Sequence, residues 1–355
     1  MTVPINLAHL ERLCDSHGIV EHARGDQPLP ALGYCTDDAG RLLGLLAPHC
    51  GDAARARLCD VALTFLEDAS EGSDGFRLRR FADGTWSNER SDDASGRALE
   101  GLGIATGSPS ASVRERASAL FDAAENWRSP YPRSTAHAVI GAAHLLEARP
   151  EHRGAARLLA DAADRLDLGD MARPWPWPEA RLTYANGLLV EAQLALAEHH
   201  ADHSRRQAAL ALLEWLVAEE SLDGHFSFAP VGGRGPGEAK PDFDQQPIEA
   251  WAMARACERA YRLTGDPQWI AGVERCAAWF DGANDAGLVV GLAATGAGYD
   301  GLSATSVNEN QGAESTLAYL ATTLIRHAVI RGESLATRKI QIPAITTSRA
   351  GEESR

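Results

Sequence analysis

Ser91-Asp92-Asp93-Ala94-Ser95-Gly96-Arg97-Ala98-Leu99-Glu100-Gly101-Leu102 opens on a hydroxyl and two acids and passes into a run of small and apolar residues. A hydroxyl followed by carboxylates is how a helix begins, because the oxygen caps free N–H groups and negative charge favours the positive end of the dipole. Apolar spacings of three and four mark the remainder as helical. Its Ala and Gly content permits close backbone approach, which suits a helix packed on several sides. Five further polar motifs each open a comparable stretch: Thr36-Asp37-Asp38-Ala39-Gly40-Arg41, Ser134-Thr135-Ala136-His137, Leu182-Thr183-Tyr184-Ala185-Asn186, Phe243-Asp244-Gln245-Gln246-Pro247 and Asn308-Glu309-Asn310-Gln311-Gly312-Ala313-Glu314. Successive motifs lie roughly 40–70 residues apart, the scale of one helical hairpin with its loop.

Helices of a second kind fall between them, amphipathic with one charged face: 52–67, 112–126, 152–166, 204–219 and 266–280. In Val113-Arg114-Glu115-Arg116-Ala117-Ser118-Ala119-Leu120-Phe121 the charged and apolar positions alternate as in a helix exposed on one side. Six inner helices, each paired with an outer one, predict an all-α (α/α)6 barrel whose inner helices all start at one end. Strand signal is sparse, and Pro and Gly gather in loops such as Pro174-Trp175-Pro176-Trp177-Pro178. The reading is one barrel domain over 1–335 and a flexible C-terminal tail over 336–355, where periodicity is lost.

With 355 residues, 45% of them hydrophobic, the chain is long enough to bury a large core. A net charge of −15 and a pI of about 5.2 argue against nucleic acid or an anionic membrane as partner, since either requires a basic patch. The cysteines Cys14, Cys35, Cys50, Cys59, Cys257 and Cys276 form no CxxC pair and read as buried structural thiols. The first ten residues carry no secretory pattern, and no apolar run spans a membrane. A cytoplasmic protein without a cofactor or metal requirement is expected.

In such a barrel the inner N-termini surround one mouth, so Asp37, Asp38, Asp92, Asp93, Asp244, Glu309 and Glu314 are expected to converge there. Two carboxylates facing each other across a sugar carry out glycoside hydrolysis, one protonating the leaving oxygen and one activating water or attacking carbon. A helix N-terminus lowers a carboxylate's pKa and suits the base or nucleophile, while crowding by other acids suits the proton donor. Asp92 or Asp93 is therefore the candidate base, and Asp37, Asp38 or Glu309 the candidate acid. Tyr34, Trp86 and Tyr184 are candidate sugar platforms, with packing roles as the alternative. Arg97 and Arg41 stand at helical spacing from their own acids, Asp93 and Asp38. His137 is a candidate proton carrier or a satisfied structural histidine. Gln245, Asn308, Asp244 and Glu314 complete the candidate substrate-binding set.

The runs Gly33-Tyr34-Cys35-Thr36-Asp37-Asp38, Ser91 to Leu99, Asp242 to Ala250 and Asn308 to Thr316 resemble a bacterial family of six-hairpin-glycosidase-like domains. The likeness extends from about His17 to Ile325. Members often occur beside, or fused behind, a glycosyltransferase domain, so the resemblance implies carbohydrate processing and a possible glycosyltransferase partner. Where that family is expected to have Leu-Thr-Tyr-Asp-Asn-Ala-Arg, this chain has Leu182-Thr183-Tyr184-Ala185-Asn186-Gly187-Leu188. An acid and a base are thus lost at the fourth inner helix, and Ala39-Gly40 replaces an expected Asn-Ala.

Three functions follow in order of preference: a glycoside-hydrolase-like enzyme acting on an oligosaccharide or glycan, a non-catalytic glycan-binding or scaffold partner of a glycosyltransferase, and a sugar isomerase or epimerase. The last requires two facing histidines, and only His137 lies in a suitable motif.

Overall fold

A computed structural model describes residues 5–332; the segment 336–355 read as a tail lies outside the described residues. Among the described residues, twelve α-helices alternate between an inner and an outer ring. The inner helices are α2 (Thr36–Leu46), α4 (Asp92–Ala105), α6 (Pro132–Ala148), α8 (Asn186–His199), α10 (Pro247–Thr264) and α12 (Ala313–Ile330). The outer helices are α1 (Ala8–Leu13), α3 (Ala53–Ala69), α5 (Ala111–Ala124), α7 (Arg153–Ala163), α9 (His203–Glu219) and α11 (Gln268–Phe280). Each inner helix packs on its two inner neighbours, and α12 returns to α2, so the ring is closed. The sixth hairpin pairs α12 with the short α1, where His9 Nε2 meets the Gln311 carbonyl at 2.7 Å.

Composition explains the two rings. From Asn186 to Ala197 every residue of α8 is buried, whereas α9 buries only Ala209, Leu212, Leu213 and Leu216, one stripe of an amphipathic helix. On one side of the ring glycine sets the spacing. A Cβ at Gly40 would come within 2.5 Å of the Arg97 carbonyl oxygen, and one at Gly96 within 2.5 Å of the Ser134 carbonyl oxygen. Gly101 of α4 and Gly40 of α2, like Gly103 of α4 and Gly141 of α6, lie backbone to backbone in the same way. The small residues of the motif stretches are what let α2, α4 and α6 touch.

Four of the six outer helices, α3, α5, α7 and α9, begin on side-chain caps: Asp52, Ser110, His152 and Asp202 each accept from the N–H three residues on. Among the motifs, Ser91 caps α4 through the Ala94 N–H at 3.2 Å. Thr36 does not cap. It lies inside the first turn of α2, and its hydroxyl donates to the Arg77 carbonyl, tying the helix start to the loop that carries Arg79 and Arg80. Strands are two residues long and form antiparallel pairs within the loops, such as Tyr34–Cys35 with Arg79–Arg80. All six cysteines are buried and free. No helix among the described residues is long and apolar enough to cross a membrane.

Candidate active site

The inner helices begin at one end of the ring, and side-chain bonds across that end stitch them together. Asp93 at the start of α4 accepts from the Ser134 hydroxyl of α6 at 2.6 Å and from the Tyr184 hydroxyl just before α8. Arg133 of α6 donates to Asn186 of α8, and Glu249 of α10 accepts from the backbone N–H groups of Ala185 and Asn186. Glu314 of α12 pairs with Arg41 of α2, and Arg97 of α4 lies 3.5 Å from Asp37 of α2. Asp37, Asp38, Asp92, Asp93 and Glu314 therefore share the mouth.

A groove of about 370 Å³ opens there, lined by Asp92, Asp93, Tyr131, Arg133, Glu179 and Tyr184 among others. Asp92 accepts from the Ser129 hydroxyl at 2.6 Å, so one acid of the α4 motif is held by the loop before α6 and the other by α6 itself. Tyr131 and Tyr184 expose 62% and 38% of their surfaces, the form expected of platforms for the C–H face of a sugar. The Arg133 guanidinium lies 4.9 Å above the Tyr184 ring and bonds Glu179 at 2.7 Å, which fixes both on the groove wall.

The mouth acids differ in proton affinity. Asp93 is held below the usual carboxylate range: burial works against its charge, but Arg97, His137 and the Ser134 and Tyr184 hydroxyls outweigh it. Asp38, 3% exposed, goes the other way, to about 7, because burial and the neighbouring Glu21, Glu314 and Asp37 overcome its bond to Arg41. Burial raises Glu249 above the usual carboxylate range as well, and burial with the neighbouring Glu249 raises Glu220.

Several sequence candidates lie elsewhere. Tyr34 is 1% exposed, and its hydroxyl donates to Asp15 at 2.7 Å, which leaves it no face for a sugar. Trp86 packs 5.2 Å from Phe65 of α3, under Arg77, on the outer side of the loop. Gln245 is fully buried, donating to Asp285 and to the Asp242 carbonyl and accepting from Trp279. Asp244, Asn308 and Glu309 are exposed on the loops before α10 and α12, outside the bonded acid cluster. His137 is buried within the ring, its Nδ1 on Glu100 and its Nε2 without a hydrogen-bond partner. Arg97 reaches across to Asp37 on the neighbouring helix in addition to its influence on Asp93. Trp175 and Trp177 pack against Trp215 of α9 and thereby position Glu179.

Tyr131 and Arg133 were not singled out in the sequence, although Pro130-Tyr131-Pro132-Arg133 directly precedes the Ser134 motif, the same adjacency that drew attention to Trp86. Glu249 was missed because its role is set by a helix that lies far from it in sequence.

No family model matches the sequence, and no curated protein matches it. Solved structures do match. Cellobiose 2-epimerase from Bacillus thermoamylovorans is similar over 91% of this chain and 96% of its own, with a TM-score of 0.67 and 13% identity. A D-mannose isomerase is similar over 90% and 94%, with a TM-score of 0.67 and 12% identity. The GH76 alpha-mannanase of Bacteroides thetaiotaomicron is similar over 91% and 94%, with a TM-score of 0.63 and 12% identity. Identity this low carries the architecture and no more: the chain has the six-hairpin, glycosidase-like (α/α)6 toroid fold, an architecture shared with carbohydrate-active enzymes.

Proposed function

We propose that this protein is a glycoside-hydrolase-like enzyme that acts on an oligosaccharide or glycan in the groove at the mouth. The observation that carries this reading is the divergence of two carboxylates on adjacent inner helices, Asp93 kept ionised and Asp38 pushed up to about 7. Carboxyls driven apart in this way are how one site supplies both a base and an acid near neutral pH. Asp38 is buried beside Arg41 and outside the groove lining, so in this reading the scissile end of the sugar reaches inward past Asp93, where Asp38 gives its proton to the glycosidic oxygen as the C–O bond breaks. Asp93 takes a proton from the water that attacks the anomeric carbon, two free sugars leave, and the starting state returns when Asp93 gives that proton to solvent and Asp38 takes one from it. Tyr131 and Tyr184 hold the ring, Asp92 and Glu179 accept from its hydroxyls, and Asp37 with Arg97 sets the field between the two acids. Glu314 holds Arg41 against Asp38. The buried free thiols favour a reducing, cytoplasmic setting.

The test is turnover of a panel of neutral oligosaccharides, followed by reducing-end release. Asp93→Asn is expected to lower kcat by a factor on the order of 10²–10⁴ with sugar binding retained. An unchanged rate rejects the assignment. Binding without any cleavage would instead favour a scaffold that presents a glycan to a glycosyltransferase.

A second reading, sugar epimerisation or isomerisation, is favoured by His137, a buried imidazole oriented by Glu100 with its other nitrogen unbonded. Solvent deuterium entering a monosaccharide at the carbon next to the carbonyl, lost in His137→Gln, distinguishes it from hydrolysis.

A further inference from the structure

A cavity of about 130 Å³ lies inside the ring, on the far side of Arg41 and Arg97 from the mouth acids and toward the C-terminal ends of the inner helices. Leu45, Ile104, Leu324 and Ile325 form an apolar wall, and Trp251 faces them from α10 with Arg255, Arg259 and Arg262. Six helix C-termini concentrate negative partial charge, and this accounts for cations gathered at that end. Three of the five lining arginines bond carboxylates closely, and a fourth, Arg262, stands 3.6–3.8 Å from three of them. Arg41 bonds Asp38 and Glu314, Arg255 bonds Glu100 and Glu191, Arg259 bonds Glu198, and Arg262 stands near Glu147, Glu198 and Glu258.

Where Arg262 has three carboxylates in ion-pair range, Arg97 has one. Its residue is 5% exposed, and among the described residues its guanidinium makes no hydrogen bond; the nearest carboxylate oxygen, on Asp37, is 3.5 Å from Nε on the mouth side. The planar fork of a guanidinium is suited to a carboxylate, and the acids that also line the cavity, Glu100, Glu191 and Glu258, are each already paired with an arginine. An apolar cavity of about 150 Å³ holds a benzene-sized ring, so this slightly smaller one takes at most a single ring, with its carboxylate reaching out toward Arg97.

We propose that this cavity is a second ligand site, separate from the mouth groove, for a small carboxylate with a ring-sized apolar body. The carboxylate takes the free edge of Arg97, and the body lies against Leu45, Ile104 and Leu324 opposite Trp251. Because Arg97 also faces Asp37, occupancy reaches the mouth through one side chain, yet the binding claim does not depend on what reaction the mouth performs.

Benzoate serves as probe and benzyl alcohol as its neutral counterpart, both titrated calorimetrically into the full chain without sugar. Benzoate is expected to bind at one equivalent, and NMR contacts from its ring are expected to the methyl groups of Ile104 and Leu324. Arg97→Gln should weaken binding by about tenfold or more, the loss of a charged hydrogen-bond pair. Ala321→Trp, which fills the cavity, should abolish it. The proposal is overturned if benzoate does not bind the folded wild-type chain, if its ring contacts lie elsewhere, or if benzyl alcohol binds as tightly. The ring contacts in the wild type decide the matter even where a variant does not fold, and a failure of sugar turnover leaves all of these readings intact.

Discussion

Asp93 collects one hydroxyl from α6 and one from the loop before α8, so its ionisation depends on groups that can be removed singly. Tyr184→Phe keeps the ring but deletes one donor. It is expected to lower kcat about tenfold or more while KM changes little, and to move the acidic limb of the pH–rate profile upward, as a steady-state pH series on a cleaved oligosaccharide would show. Asp38 sets the opposite limb. Its folded-state pKa of about 7 lies above that of an unfolded aspartate, so the folded chain holds the extra proton, and stability falls as pH rises from about 4 to about 7. In Asp38→Asn that part of the decline is expected to vanish from urea midpoints measured across the range, together with the basic limb of activity. Ala185 is a different kind of residue-scale feature. It opens α8 at φ 47°, a left-handed conformation that an L-residue with a Cβ occupies at a cost and that Asn or Asp tolerates better. The resemblance expects Asp there. Ala185→Gly should therefore raise stability by about 1 kcal/mol in denaturant unfolding. At this scale the sequence was only partly legible. The spacing of Arg41 from Asp38 gave a bond that forms, whereas Arg97 at nearly the same offset turns to Asp37 on the next helix, because close packing of α2 on α4 brings a second acid within reach.

Helices were the most readable elements. The alternation of Ala- and Gly-rich stretches with charged-face stretches located all five outer helices read from the sequence and the start of nearly every inner one, since burial on all sides and burial on one side leave different composition. What a period cannot encode is which side of a loop faces the mouth. Trp86 sits just before the α4 motif and turns outward onto Phe65, while Tyr131, equally close to the α6 motif, stands in the groove. The glycine contacts carry an element-scale expectation. Gly103→Ala forces a methyl group into the backbone of α6 at Gly141, where nothing flexible can yield, and overpacking of this kind costs about 1–3 kcal/mol or more. Equilibrium urea unfolding of that variant beside Gly265→Ala, which meets no neighbouring atom but has a positive φ, separates crowding from backbone strain.

For the molecule as a whole, charge rather than hydrocarbon fills much of the ring's interior: Arg255 links Glu100 of α4 to Glu191 of α8, and Arg259 carries the chain on to Glu198. Removing one member strands its partners without water. Arg255→Met is expected to cost roughly 3–5 kcal/mol in chemical denaturation, more than a surface arginine such as Arg173. None of this lattice was visible beforehand, since its members come from helices far apart in the chain and read singly as ordinary polar positions. The closure between α12 and α2 has its own consequence during synthesis. His9 and Gln311, which meet where the sixth hairpin forms, are 302 positions apart, so a nascent polypeptide emerging from the ribosome remains an open arc, with the flank of α2 awaiting its neighbour. That flank stays uncovered until α12 has been translated, and it is the surface on which a holding chaperone would find the growing protein.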